Sequence, residues 1–405
     1  MRKLSLRDID IKGKRVLVRV DFNVPLNEQG EITDDRRIRA SLPTIRYILE
    51  GKGKAILISH LGRPKGSSSI LLSLKPIATR LRDLLGENVL FADDCIGEDV
   101  HQTIENMKEG ECLLLENLRF HPEEEKNNLD FSREIAKWGD LFVNDAFGTS
   151  HRAHASTEGI SCFFDLKVAG FLMEKEIEYL GKVLENPVRP FVMILGGAKI
   201  SDKLDLIENF LKKTDKFLIG GGMAFTFLKS QRIQVGASLV EVDKIERAKE
   251  IMRMAGREEM TLLLPIDFVV VKDDEAIPEI VQRERKVVEA GSIPEGWSGL
   301  DIGPLTSRIF SEALKEAKTL FWNGPLGVFE LDPFSIGTRT IAEGIAEETE
   351  IGAVSVIGGG DTSAACEKFG LSQKMSHIST GGGASLEFLA GKRLPGIEIL
   401  NDRKS

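Results

Sequence analysis

Short apolar runs rich in β-branched residues, each ending in a polar or glycine-rich turn and followed by helical spacing, recur along this chain. Strands that alternate with helices are joined by crossovers and not hairpins, which implies mainly parallel sheets with helices on both faces. RVLVRV (15–20) and AILI (55–58) read as the first two strands. Between them, residues 37–49 carry Ile38, Leu42, Ile45, Ile48 and Leu49 at helical spacing, completing a βαβ unit. A helix at 74–85 and strands at 89–91, 112–115 and 141–144 continue the theme. A helix at 171–184, ending before Asn186-Pro187, then leads into a second series of strands at 191–195, 217–219, 261–264, 319–322 and 353–357. The expected fold class is therefore α/β, with two doubly wound, mainly parallel-sheet (Rossmann-like) domains joined by an interdomain helix. The Ser67-Ser68-Ser69 run reads as a short flexible loop.

At 405 residues the chain exceeds one ordinary core. Its 42% hydrophobic and 29% charged residues fit a globular protein, and the net charge of −9 argues against a general nucleic-acid binder. Any anion must then be held by local clusters. Cys95, Cys112, Cys162 and Cys366 form no CxxC pair, so a zinc ribbon or dense disulfide framework is not expected. No uncharged apolar run approaches the ~18 residues of a membrane span, and the N-terminus has no apolar signal core. A cytoplasmic protein without a membrane partner is expected.

In doubly wound sheets ligands gather at the carboxyl ends of strands. In the first half those positions hold Asp21, Asn23, His60, Arg63, Arg119, His151 and Arg152, with Arg37 opening the first helix. Arginine forks, histidines and amides together suit a small, multiply charged anion, although any one of these arginines could be a surface ion pair. His151-x-x-His154 has no acidic or cysteine partner nearby and sits among cations, so hydrogen bonding or a structural role fits it better than a metal.

In the second half the strand ends carry glycine clusters at 196–197, 220–222, 358–360 and 381–383, which let backbone N–H groups approach phosphates or a flat base. Ser201-Asp202 reads as a capping pair. Lys199 and Lys203 would share a helix face if the helix has begun by Lys199. Asp361-Thr362-Ser363 reads as an N-cap segment whose carboxylate could also hold Mg²⁺. Neither a Walker A motif nor GxGxxG occurs. A dehydrogenase lacks its fingerprint, and a nonenzymatic nucleotide sensor would leave the arginines unexplained. A kinase-like enzyme with an anion domain and a nucleotide domain remains.

The motifs RVDFNVP (19–25), SHLGRP (59–64), LENLRF (115–120), NDAFGTSHRAH (144–154), LGGAKISDK (195–203), WNGPLGVFE (322–330), GGGDT (358–362) and STGGGASLE (379–387) closely resemble the phosphoglycerate kinase family over essentially the whole length. The resemblance implies reversible phosphoryl transfer between 1,3-bisphosphoglycerate and ADP, giving 3-phosphoglycerate and ATP, with Mg²⁺ as cofactor. It implies a substrate site of Asp21, Phe22, Asn23, Arg37, Ser59, His60, Leu61, Gly62, Arg63, Arg119 and Arg152. The implied nucleotide site is Gly197, Lys199, Lys203, Gly221, Asn323, Glu330, Gly358, Gly359, Gly360, Asp361 and Thr362, with Asp361 on the metal. Arg37, Lys199, Gly359 and Gly360 take the catalytic roles, Arg37 being preferred to Arg36 on the family's spacing. The expected domains are 1–170, a helix at 171–187, 188–385, and a segment 386–405 returning to the first domain. Hinges are expected at the ends of that helix and near Ser379-Thr380, in a monomer with no nucleic-acid partner.

Overall fold

Along β1 (Arg15–Val20) the side chains alternate between two buried faces. Val16, Val18 and Val20 join one core with Ile38, Ile45 and Ile48 of α1 (Arg36–Glu50), whereas Leu17 joins another with Ile104, Leu113 and Phe142. A strand covered on both faces needs no polar side, which is why Val16, Leu17 and Val18 are apolar in succession; Arg19 is the one charged residue within the buried part of the run. The protein is described by a computed structural model over residues 2–64, 69–258, 260–273, 276 and 279–403, so Ser67 and Ser68 lie outside the described residues.

The chain divides into two compact units, residues 1–178 with 393–405, and residues 179–392. In the first unit β1 is followed by α1, β2 (Lys54–Ile58), α2 (Lys75–Leu85), β3 (Val89–Ala92), α3 (Glu98–Glu105), β4 (Cys112–Leu115), α4 (Leu129–Ala136), β5 (Leu141–Asp145) and β6 (Lys167–Ala169). They form one parallel sheet in the order β3-β4-β2-β1-β5-β6. The three-residue β6 escaped the sequence reading because KVA is too short to show a period. Residues 393–405 are tied into this unit: Asn144 Nδ2 donates to Gly396 O at 2.7 Å, and Asn401 exchanges hydrogen bonds with the Lys167 backbone.

Helix α5 (Phe171–Glu185) contains the division between the units. The second unit continues with β7 (Phe191–Leu195), α6 (Leu204–Phe210), β8 (Lys216–Ile219), α7 (Met223–Ser230), α8 (Ile245–Arg257) and β9 (Thr261–Leu263). After these come β10 (Asp267–Lys272), β11 (Arg285–Glu289), β12 (Trp297–Ile302), α9 (Pro304–Leu314), β13 (Thr319–Asn323), α10 (Ile336–Glu350), β14 (Val354–Gly358), α11 (Gly360–Lys368), β15 (His377–Ile378) and α12 (Gly383–Leu389). Its parallel sheet runs β15-β14-β13-β7-β8-β9, and β11-β10-β12 form a separate antiparallel sheet. That second sheet was not legible from the residues. β11 is almost wholly exposed and β12 is interrupted by polar residues and Gly299, so neither shows a clean apolar period.

Two readings of the segment after β7 are corrected. Residues 201–203 form a 3₁₀ turn and α6 starts only at Leu204, so Lys199 and Lys203 do not share an α-helical face. Ser201 caps nothing; its hydroxyl donates to Glu241 at 2.6 Å.

Asp145, at the end of β5, is fully buried, and its Oδ1 accepts the N–H groups of Leu172 and Met173 at 2.9 and 3.3 Å. The carboxyl thereby caps the start of α5. Burial pushes it up to about 7, against the pull of its hydrogen bonds from Thr44, Met173 and Leu172. The folded state then holds a proton that the unfolded chain releases near pH ~4, so this group's contribution to stability falls as pH rises from about 4 to about 7. Asp145→Asn should flatten that part of the stability profile, the difference from wild type changing by up to about 4 kcal/mol. Denaturant unfolding across this range checks it, and parallel wild-type and variant profiles would contradict it.

Candidate active site

In the first unit the turns after β1, β2, β4 and β5 leave the same edge of the sheet, and the chain's path changes side at β1, between β2 and β5. Such a reversal opens a crevice. Asp21 Oδ2 accepts from Arg37 Nη1 at 2.7 Å, and the same nitrogen reaches Asn23 O at 3.2 Å. Arg36 instead bonds Asp34, with Nε 2.8 Å from Oδ2. Asn23 Oδ1 takes the Gly62 N–H, Gly62 O takes Arg119 Nη1 at 2.8 Å, and Ser59 Oγ takes the Phe22 N–H. Gly62 has φ +63°, a left-handed conformation that suits glycine. Leu61 is fixed by Asn117, which accepts its N–H and donates to its carbonyl.

Beneath these groups lies a buried chain that the sequence reading missed. Arg19 is 1% exposed; its Nε donates to Ser156 Oγ at 2.8 Å, and Ser156 Oγ donates to the fully buried Glu124 at 2.6 Å. Arg19 Nη2 lies 3.2 Å from His60 Nδ1. A guanidinium can only donate, so Nδ1 accepts and the His60 proton sits on Nε2. Burial, then Arg19, Arg119, Arg152 and Arg37, hold the His60 pKa well below the ordinary histidine value. The imidazole is neutral at physiological pH and offers one fixed N–H. A signal for this chain existed: a charged residue inside the otherwise buried run RVLVRV.

Arg119 is nearly buried, and that burial, with Arg19 and Arg152 nearby, lowers its pKa to about 10 while Glu125 opposes the change. Its Nε lies 3.2 Å from Glu125 Oε1 but outside hydrogen-bond geometry. Arg152 Nε donates to His151 Nε2, and His154 is lowered to about 4 by burial and the surrounding arginines. Of the expected arginines, Arg63 alone stands apart: it is exposed, and its side chain makes no hydrogen bond or ion pair among the described residues.

In the second unit the corresponding reversal lies between β7 and β13, whose last residues Leu195 and Asn323 are register partners. The turns beyond them meet backbone to backbone. A Cβ on Gly196 would lie 2.1 Å from Pro325 O, and one on Gly324 would lie 2.4 Å from the Gly196 carbonyl carbon. Gly221 meets the same point, 2.6 Å from Gly197 N. A cavity of about 300 Å³ opens there, with Gly197, Gly221, Glu330 and Asp361 in its wall. Phe225, Leu239, Phe268 and Leu300 add an apolar side that no motif announced.

Lys203 is 8% exposed and its Nζ bonds Asn323 Oδ1. Burial lowers its pKa to about 8, opposed by Asp202 and Asp361, so it remains largely protonated at neutral pH. Lys199 is exposed and is not held with it. The N-cap of α11 is Gly359 at φ +90°, which corrects the expectation for Asp361-Thr362-Ser363: all three lie within the helix's first turns. Ser363 Oγ donates to Gly359 O, and Thr362 Oγ1 accepts the Gly324 N–H. Asp361 is thus left exposed beside the N-terminal N–H groups near Gly360, which no side chain caps among the described residues. A Cβ on Gly358 or Gly359 would come within 3.1 or 3.0 Å of Asn323 Nδ2.

Comparisons with known proteins identify the family. The family model described as phosphoglycerate kinase matches residues 6–392. Proteins named phosphoglycerate kinase are similar over nearly all of both chains: one from Chlorobium phaeobacteroides (strain BS1) is 54% identical over 402 residues, covering 99% of this chain and 100% of that protein. One from Pseudothermotoga lettingae is 54% identical over 404 residues, covering 100% of both. Among solved structures, phosphoglycerate kinase from Coxiella burnetii superposes with a TM-score of 0.86 at 40% identity, covering 98% of each chain. That from Pyrococcus horikoshii OT3 gives 0.85 at 35% identity, also covering 98% of each. The chain belongs to the phosphoglycerate kinase family.

Proposed function

We propose that the kinase reaction of this family, reversible phosphoryl transfer between 1,3-bisphosphoglycerate and ADP, is carried by the two groups of residues described above. Asp21, Asn23, Arg37, His60, Arg63, Arg119 and Arg152 bind the phosphoglycerate. Gly197, Lys199, Lys203, Gly221, Asn323, Glu330 and residues 358–362 bind the nucleotide. The observation that carries this reading is the convergence of Arg37, Arg119 and Arg152 with a neutral His60 on one polar crevice, where burial and then the charges of these three and of Arg19 hold His60 unprotonated. The expected cytoplasmic location and monomeric state belong to the same reading.

Chemically, the acceptor in the ATP-consuming direction is a carboxylate, already ionised, so no general base is required. Rate enhancement comes from alignment and charge neutralisation. Arg37 is partly exposed and held by Asp21, so its remaining donors are available to a transferring phosphoryl group. His60 Nε2–H and the Arg119 fork address the anion's fixed oxygens. The exposed Asp361 carboxylate, beside Glu330 in the cavity wall, fits a hard cation that prefers oxygen ligands. Mg²⁺ held there would neutralise charge on the nucleotide's phosphates. Lys203 and the N–H groups at the start of α11 provide further positive potential for the same oxygens.

The two groups of residues belong to different compact units. In-line transfer needs the reacting oxygen within ~3–3.5 Å of phosphorus with water excluded, a demand that closure of the units around both ligands meets. Small-angle scattering should give a smaller radius of gyration with 3-phosphoglycerate plus a nonhydrolysable MgATP analogue than with either ligand alone. Identical profiles at saturation would refute closure.

Arg37→Ala should cost ~10²-fold or more in kcat with little change in nucleotide affinity, and Arg37→Lys should also be poor because an ammonium lacks the planar fork. A coupled assay with 3-phosphoglycerate and MgATP tests this; a folded Arg37→Ala variant with normal kcat removes Arg37 from the reaction. Asp361→Ala should weaken MgADP binding far more than binding of metal-free ADP. Calorimetry showing equal loss for both would remove the metal role.

A further inference from the structure

We propose that Asp94, Cys95 and His121 form a binding site for a borderline-soft divalent cation of the zinc class. One ligand atom from each residue lies within 4.8 Å of the other two, and this is the only such group of histidine, cysteine and acidic residues among the described residues. None of the three belongs to the proposed reaction.

The cluster is built on firm elements. Asp94 and Cys95 follow β3, and His121 follows the 3₁₀ turn after β4; the two strands are hydrogen-bonded neighbours with Ala92 opposite Leu115. The Cys95 carbonyl accepts the Trp138 indole N–H at 2.9 Å, the Asp94 carbonyl accepts the Glu116 N–H, and the His121 ring lies 5.2 Å from that of Phe131. Backbone and ring positions are thus fixed before any ion arrives, as a preorganised site requires.

Thiolate, imidazole and carboxylate are the ligands zinc takes, at ~2.0–2.3 Å, whereas Mg²⁺ and Ca²⁺ select oxygen alone. Without an ion, Asp94 Oδ1 lies 2.7 Å from His121 Nε2 and also accepts the Cys95 N–H. An ion would replace that contact: the thiol proton passes to solvent, and His121 ligates through Nε2 as neutral imidazole with its one proton on Nδ1. The resulting thiolate and carboxylate balance its two charges. Cys95 is wholly buried, but the Asp94 and His121 side chains are 52% and 25% exposed. The ion can therefore enter from their side, and water can complete a tetrahedron.

The test uses the full chain, stripped with a chelator and titrated with Co²⁺ and then Zn²⁺. Co²⁺ should give a thiolate charge-transfer band that Zn²⁺ abolishes, and Zn²⁺ should raise the melting temperature. Cys95→Ser should lose the band, and His121→Ala and Asp94→Asn should each weaken Co²⁺ at least tenfold. Cys162→Ser, which alters the exposed cysteine, should leave the band intact. Should Cys95→Ser fail to fold, the exposed-side variant His121→Ala decides through loss of the zinc-induced thermal shift. No band in the wild type, a band that survives Cys95→Ser, or a thermal shift unchanged in His121→Ala would each overturn the site.

Discussion

A parallel strand can be followed by its parallel neighbour only through a crossover, so every strand of such a sheet releases its chain at the same edge. Much in this protein depends on that constraint. It delivers Asp21, His60, Arg119 and Arg152 to one crevice in the first unit although they are far apart in sequence, and Gly197, Asn323 and Asp361 to one edge in the second. Helices supply the remaining requirement by covering both faces, so that the strands can be largely apolar and the chemistry gathers at their ends and in the turns beyond, with Arg19 inside β1 as a buried support.

The two edges solve different electrostatic problems. Around His60 a cluster of cations is held together by a buried carboxylate chain, Glu124 to Ser156 to Arg19, and by partial neutralisation from Asp21 and Glu125. Leaving one member of such a chain unpaired would cost more than the chain gains as a whole, so its members form a unit. Around β7 and β13 the tool is absence of side chains. Gly196, Gly221 and Gly324 let three turns touch through their backbones, and a methyl group at any of them would meet another turn's main chain at 2.6 Å or less.

Legibility in the sequence followed the strength of the local signal. The six-stranded parallel sheets were largely readable because AILI and FVMIL are continuous apolar runs, and RVLVRV is nearly so, with glycine or polar exits. Exposed β11 and the three-residue β6 carried no such pattern. For the site, residues directly after strands could be listed, but their partners could not: nothing in the sequence pairs Arg19 with Ser156, or Asn117 with Leu61, across dozens of residues. Helix starts were read wrongly after β7 and β14 because Ser-Asp and Asp-Thr-Ser look like caps. There the chain instead caps with a 3₁₀ turn and with Gly359 in a conformation that only glycine adopts easily.

The return of residues 393–405 to the first unit has a consequence for how the chain is made. During synthesis most of this unit emerges first, yet the buried Asn144 amide has its acceptor on Gly396, and Lys167 at the sheet's edge strand has its partner on Asn401. Until residues 396–401 have emerged, that strand lacks these bonds and an internal amide lacks its carbonyl. The second unit, residues 179–392, is by contrast one continuous stretch of the sequence. The first unit, begun earliest, is therefore completed by the part of the chain that is made after the whole of the second unit.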